Sequence, residues 1–465
     1  LRKNSSSFSK TTDKNKGFKK IMAEIKPFRG VHYTKEAGNI QDLITQPYDK
    51  ITPKMQQEYY GKSQYNSVRF VLGKDEPGDD TKNNKYTRAN EFFKKFLEEG
   101  ILVQDTIPTI YAYDQDYIHP DTGDVVTRKC FIAATKLHEY AENIVYPHEH
   151  TLSGPKEDRL NLMRAMEANT GLVLMFYRDN ENRVKQILEE QTKSEPIFDA
   201  VDHYQTHHKL WHITDPKVVS EIQKIIDEKN LIICDGHHRY ETALNYRNEM
   251  RAKNPDYTGR EAWNYRMAAF ANMADPALYV FPTHRVIRNV EDFDAKKLLE
   301  KLSEKFDIEE IASGCCPPST AVTLVQKMKQ NAEKHAFGFY TKGDDKMYLL
   351  TLKSNSVADA IPLDKSNDWK RLDVTILHKL ILEPMLGIDD AALAAQTNVD
   401  YERMVEDAIE PVTNGTHQCV FLMNPTLTHH VEAVCSHNET MPQKSTDYFP
   451  KVQSGLVVQY MPNGD

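Results

Sequence analysis

The stretch Ile233-Cys234-Asp235-Gly236-His237-His238-Arg239-Tyr240 decides how this 465-residue chain is read. It continues a short apolar run, Leu231-Ile232, which ends at an Asp-Gly turn and opens into a helix predicted from about His237 to Lys253. The first turn of a helix offers unpaired N–H groups and the positive end of the helix dipole. Together these form a phosphate site. Gly236 lets the backbone approach an anion closely. His237, His238 and Arg239 add donors, and Arg can hold a phosphate with two parallel bonds. Asp235, at the strand end, could hold Mg²⁺ beside that phosphate or accept a proton. The plainer alternative makes Asp235 a helix cap and the histidines surface residues.

Upstream lies Tyr146-Pro147-His148-Glu149-His150-Thr151, then Lys156-Glu157-Asp158-Arg159 at the start of a helix predicted to reach Met166. Glu149 between two histidines could serve as general base toward a hydroxyl substrate, with Thr151 beside it. His148 and His150 could instead join His237 or His238 on a metal, although no H-E-x-x-H occurs. A bland reading leaves Thr151 and Asp158 as loop and cap residues. Downstream, Met441-Pro442-Gln443-Lys444-Ser445-Thr446 and Lys451 place two lysines and two hydroxyls in a Pro-bounded loop. That set suits an anionic or carboxylate ligand, and equally a solvated loop. Lys26-Pro27-Phe28-Arg29 and Thr283-His284-Arg285 are cationic groups near strand edges, open to either reading, and Gln46-Pro47-Tyr48-Asp49 reads as structural. The common nucleotide and nucleophile fingerprints, G-x-x-x-x-G-K-[ST], G-x-G-x-x-G and G-x-S-x-G, are absent.

Composition sets the frame. Forty per cent hydrophobic and 27% charged residues is globular composition. The longest apolar run, Leu172–Tyr177, is far short of the roughly 20 residues that span a membrane. Lys+Arg 59 against Asp+Glu 68 gives a net charge of −9, which argues against nucleic acid as partner. Six cysteines without a C-x-x-C pattern, only Cys315 and Cys316 adjacent, fit a reduced, cytoplasmic setting. Residues 1–22 start with a Ser-rich stretch carrying seven Lys/Arg and one Asp before Met22 and read as a disordered leader. No coiled coil or repeat marks an oligomer.

The periodicities predict three regions. An α+β region (23–136) holds a strand at Ser67–Leu72, a helix over 84–99 and a hairpin of Thr109–Tyr113 with Cys130–Ala134. A middle core (137–290) carries the Asp-Gly turn. A C-terminal α/β region (291–465) alternates helices (293–305, 319–332) with strands (336–341, 347–353) and a helix at Leu372–Leu382.

Seven segments together resemble a known family. Lys26-Pro-Phe-Arg29, Gln46-Pro-Tyr-Asp49, Pro147-His-Glu-His-Thr151, Lys156-Glu-Asp-Arg159, Asp235-Gly-His-His-Arg-Tyr240, Thr283-His-Arg285 and Met441-Pro-Gln-Lys-Ser-Thr446 resemble the ParB-like family catalogued as domain of unknown function 1015, in its expected order. The resemblance implies an α/β (α+β) fold with a ParB/sulfiredoxin-like core over 137–290. It also implies nucleotide chemistry of the kind found in sulfiredoxin, in CTP-binding partitioning proteins and in ADP-dependent free serine kinases. The serine kinases are similar at 235–239 and around Glu149. This carries over Glu149 as the base for a serine hydroxyl, although the interval from Glu149 to Asp235 is longer here. Sulfiredoxin's catalytic Cys precedes a His-Arg pair, and His237 stands in the comparable place here, so its reaction is not expected.

The resulting expectation is a phosphotransferase using Mg²⁺ and a nucleotide (ADP or ATP, or CTP) with free L-serine or phosphoserine. Glu149, Asp235, His237 and His238 would be catalytic. Gly236, His237, His238, Arg239, Lys156 and Arg159 would bind phosphate, and His148, Thr151, Lys444, Ser445, Thr446 and Lys451 the substrate. Asp235 would hold the metal. A CTP-type switch and a metal-dependent hydrolase are the alternatives.

Overall fold

The computed structural model describes residues 22–149, 154–312, 317–344 and 346–462, with only the backbone of 154, 155, 312 and 317–319. His150, Thr151, Cys315, Cys316 and the leader before Met22 lie outside the described residues.

The chain is mixed α/β and is organised on a nine-stranded sheet. Its order begins with Val145–Pro147, Leu231–Asp235, Val173–Tyr177 and Tyr265–Asn272. It continues with Val125–Lys136, Ile110–Ile118, His207–Ile213 and Phe198–Val201, and Ile25–Lys26 also pairs with Val125–Lys136. Leu231–Asp235 is parallel to Val145–Pro147, Val173–Tyr177 is parallel to Tyr265–Asn272, and the other pairings are antiparallel. The near-continuous apolar runs of the central strands are explained by burial on both faces. All residues of Val173–Tyr177 and of Tyr265–Asn272 are buried. Successive side chains alternate between two cores. Val173, Met175, Ile233 and Phe270 pack with Val184, Leu188 and Ile222 of flanking helices and with Tyr240 and Ala243 of the helix His237–Lys253. Leu174, Phe176, Ile232 and Cys234 point the other way, into a core shared with Phe337, Leu377, Phe421 and Val431 of the C-terminal region.

That region contains a six-stranded antiparallel sheet in the order Phe306–Ala312, Lys346–Leu352, Ala336–Thr341, Cys419–Leu422, His284–Ile287, Val399–Glu402. A four-stranded sheet joins Gly30–Tyr33 to Leu102–Gln104 and, on its other side, to Val458–Tyr460 near the C-terminus.

One sequence expectation is corrected. Residues 67–72 form a short helix, Val68–Val71, not a strand. The Asn66 side chain accepts from the Val68 N–H, and Val68, Phe70 and Val71 are all buried, so their apolar character reports enclosure on several sides rather than a pleat. The boundary at 136/137 runs through the nine-stranded sheet, whose strands come from both sides of it. The boundary at 290/291 separates His284–Ile287 from the sheet it belongs to. The helix at Leu372–Leu382 is present, but its second half, Leu377–Leu382, is wound as a π-helix.

Candidate active site

The strand Leu231–Asp235 lies against Val173–Tyr177 with a register shift between Ile233 and Asp235. Such an irregularity bends a strand and re-aims the side chains at its end. Gly236 follows at φ +91° and caps the 17-residue helix His237–Lys253. A Cβ here would meet Arg239 Nε and Cζ at 2.9 Å, so the glycine serves both the turn and the return of the Arg239 side chain. Tyr240 locks the helix to the main chain of His138, accepting from its N–H and donating to its carbonyl, both at 2.9 Å.

At this helix N-terminus lies a cavity of about 350 Å³. Its wall includes Asp235, Gly236, His237, His238 and Arg239, joined by His148 and Glu149 and by Lys444, Thr446 and Lys451. Three segments distant in sequence therefore meet. The main chain brings them together: Glu149 bridges in parallel to Met441, whose N–H donates to the His148 carbonyl at 2.8 Å. Tyr279–Val280 pairs with Tyr448–Phe449 and holds the following turn.

His148 Nδ1 faces the Ile233 carbonyl at 2.5 Å. A carbonyl only accepts, so Nδ1 carries a proton, and Nε2 lies 2.7 Å from Thr446 Oγ1. Glu149 Oε1 lies 3.6 Å from the same Nε2 and accepts the Ser445 N–H at 3.2 Å. Burial alone would raise the Glu149 pKa. The His148 hydrogen bond, with the electrostatic pull of the histidine rings beside it, outweighs burial and holds the carboxyl below its ordinary value. His237 Nε2 accepts the His148 N–H at 3.3 Å. Burial, aided by His148, pushes the His237 pKa down to about 3, against the pull of Glu149 and Asp235, so the ring is neutral.

Asp235 is bound on both oxygens, by Arg239 on Oδ2 and by Lys451 on Oδ1 at 3.3 Å. Burial would raise its pKa, but Lys451, Arg239 and Lys50 lower it strongly. Both carboxylate oxygens of Asp235, the expected metal ligand, are thus engaged by cationic side chains. Lys451 also pairs with Asp447 at 3.1 Å, and Asp447 in turn with Arg403. Lys50 and Lys444 also line the cavity, and both are exposed and enter no ion pair among the described residues. Cys234 lines it too, but burial raises its thiol pKa well above the ordinary value, which makes it unreactive.

Several expected residues lie elsewhere. Lys156 pairs with Glu241 and is not part of the cavity wall. Arg159 is buried, binds Asp158 and the Val71 carbonyl, and lies 4.3 Å from the centre of the Tyr48 ring, which it backs from outside. Arg159, like Lys156, is not part of the cavity wall. Ser445 contributes its N–H to Glu149, while its hydroxyl turns back to the Pro442 carbonyl. Arg285 is buried and donates to the Lys444 carbonyl at 3.0 Å, tethering that loop, and Lys26 packs over Tyr265. No cluster of metal-ligating atoms forms around His148 and His237 among the described residues.

Sequence reasoning missed Tyr48, Asp49 and Lys50, and also Tyr401, Glu402 and Arg403, all of which line the cavity. The first group reaches it because Thr45 and Ser454 exchange two main-chain hydrogen bonds, at 2.8 and 3.0 Å. Its signal was present in Gln46-Pro-Tyr-Asp49, which was read as structural. The second group sits at the end of the edge strand Val399–Glu402, and no local pattern marks it.

A family profile described as "Protein of unknown function (DUF1015)" matches residues 25–375. The chain belongs to this DUF1015 family. No curated protein matches the sequence. Three solved structures show distant likeness to this DUF1015 chain. A free serine kinase in complex with AMP has 13% identity and a TM-score of 0.32, over 67% of this chain and 89% of that one. A conserved hypothetical protein from Pyrococcus furiosus has 14% identity and a TM-score of 0.29, over 66% and 87%. SbnI with a C-terminal truncation, from Staphylococcus aureus, has 11% identity and a TM-score of 0.31, over 70% and 85%.

Proposed function

We propose that the chain moves a phosphoryl group between a nucleotide and a small hydroxylated metabolite, on a ParB/sulfiredoxin-like core. The observation that carries this reading is the convergence of Glu149, the helix N-terminus at Gly236–His238 and Lys444 on one cavity. Its volume, about 350 Å³, lies at the small end of the roughly 300–1,000 Å³ typical of ligand sites. It suits a compact metabolite together with the phosphate end of a nucleotide.

In this scheme the hydroxyl oxygen of the metabolite attacks the terminal phosphorus. Its proton passes to Glu149, and the bond to the nucleotide oxygen breaks. The products are a phosphomonoester and a nucleotide shorter by one phosphate. The N–H groups of the first helical turn, with Lys50 and Lys444, bear the charge of the transferring group. The Ser445 N–H and the neighbouring His148 ring hold Glu149 in place. Asp235 acts as an anchor that sets Arg239 and Lys451. Mg²⁺ enters with the nucleotide as its counter-ion. Free L-serine or phosphoserine is the first substrate to test, on the strength of the motifs shared with the serine kinases. ADP, ATP and CTP are the candidate nucleotides. The setting is the cytoplasm. No described helix is long and apolar enough to cross a membrane.

Phosphorus NMR tests the reading. Purified protein is incubated with Mg²⁺ and L-serine plus ATP, ADP or CTP, and separately with phosphoserine plus AMP or ADP. A new phosphoserine signal, or phosphate leaving phosphoserine for the nucleotide, is expected. Nucleotide loss without a phosphoester would point to a switch or hydrolase instead. No change in any tube would remove serine as substrate.

A further inference from the structure

Away from the cavity, three strands of the primary fold bring His32, Asp105 and His212 together. His32 lies in Gly30–Tyr33, Asp105 directly follows Leu102–Gln104, and His212 lies in His207–Ile213 of the large sheet. Their ligand atoms all lie within 4.8 Å of one another. His32 Nε2 and His212 Nε2 each stand 3.2 Å from the same oxygen, Asp105 Oδ1. Two ligand atoms about 2.1 Å from one metal, at an angle near 100°, lie about 3.2 Å apart.

The surroundings orient the set as metal ligands are oriented. His32 Nδ1 faces the Tyr33 carbonyl at 3.1 Å, so it carries the proton and leaves the Nε2 lone pair aimed at Asp105. Tyr111 donates to Asp105 Oδ2 at 2.5 Å and accepts from the Gly30 N–H at 2.9 Å. That occupies the outer carboxylate oxygen and leaves Oδ1 for the centre. A Cβ on Gly30 would meet the Tyr111 hydroxyl at 2.2 Å, so the glycine is needed for this support. A lone pair of His32 pressed against a carboxylate oxygen requires a positive charge between them, either a second proton or a cation.

We infer that His32, Asp105 and His212 form a binding site for a divalent transition-metal ion of the zinc type. Two imidazoles and one carboxylate favour zinc or cobalt over magnesium or calcium, which prefer all-oxygen sets. His32 and Asp105 have side chains only 10% and 15% exposed, while His212 at 36% leaves the remaining coordination positions open to water. The ion would join the four-stranded sheet to the nine-stranded one. It is independent of the phosphotransfer reading, since none of its three ligands lines the cavity.

The test uses the full chain stripped of metal with a chelator. Zn²⁺ titration is followed by calorimetry, Co²⁺ by visible absorption, and Tm is measured with and without Zn²⁺. The wild type is compared with His212→Ala, a surface change, and with Asp105→Asn, which keeps the shape; circular dichroism confirms that both are folded. Loss of a supporting group around a metal already weakens binding about 10–100-fold, so loss of a ligand should weaken it at least as much. The expected result is one Zn²⁺-dependent transition with a rise in Tm and a Co²⁺ band in the wild type, lost or weakened to that extent in both variants. Equal Zn²⁺ affinity in wild type and variants, or no binding by the wild type, would overturn the proposal. In the second case a protonated His32 supplies the missing charge.

Discussion

At the scale of single residues, the cavity is governed by which groups hold charge. Asp235 is ionised and shared by Arg239 and Lys451, with a side chain only 12% exposed. Removing one member of a buried ionic set leaves the others uncompensated, at a cost of about 3–5 kcal/mol. Asp235→Asn is therefore expected to lower stability by about that amount, read from urea unfolding, and to be a poor test of catalysis on its own. Glu149→Gln removes the proposed base but keeps a carbonyl oxygen as acceptor for the Ser445 N–H. It should lower kcat by about 10²–10⁴-fold with little change in Tm. Because the Glu149 pKa is depressed, the carboxylate remains the ionised base through neutral pH. The acid limb of the rate profile should fall below the ordinary Glu value of about 4.3, rather than near 6.5. His237 supplies an independent check. Its ring titrates at about 3, so its NMR shifts should stay constant between pH 5 and 8.

At the scale of elements, the strand-turn-helix unit works because its two ends are pinned. Tyr240, in the first turn, satisfies both the N–H and the carbonyl of His138. Tyr240→Phe leaves these buried groups unpaired, which costs about 1–3 kcal/mol per group left unsatisfied. Its urea midpoint should fall by a corresponding amount. Gly236→Ala meets both a left-handed φ and the Arg239 side chain, so it should destabilise the turn by about 1–2 kcal/mol and weaken nucleotide binding. The helix His237–Lys253, the helix after Asn84 and the hairpin around Gly123 were legible from the sequence, because capping residues, glycine turns and periodicity are local properties. The segment 67–72 was misread because an apolar run buried on every side looks the same as a strand. The strand Val399–Glu402, which delivers Tyr401 to Arg403, left no local trace.

At the scale of the whole molecule, burial of histidines couples stability to acid. Burial is the leading cause that lowers the pKa values of His208, His237, His284, His378 and His430, whereas His32 is raised. A histidine with a depressed folded pKa contributes stability above its unfolded value of about 6.5, and that contribution is lost as pH falls toward the folded value. The lowered groups outnumber the raised one, so the chain should unfold at lower urea at pH 5 than at pH 7. The sequence by itself determined the strand-turn-helix around Asp235, the mixed α/β class and the family, together with most of the polar residues that face the cavity. These depend on short-range rules: glycine at a positive φ, period-2 and period-3.6 patterns, and motifs read in order. Only the tertiary structure decided that Lys156 and Arg159 enter ion pairs, that Asp235 is shared by Arg239 and Lys451, and that Lys50 and Arg403 join the wall. It also brought His32, Asp105 and His212 to one point. Partners 336 residues apart in the chain, Gln115 and Lys451, and the still more distant Thr45 and Ser454, are selected by sheet order and by the packing of two faces, which no local pattern encodes.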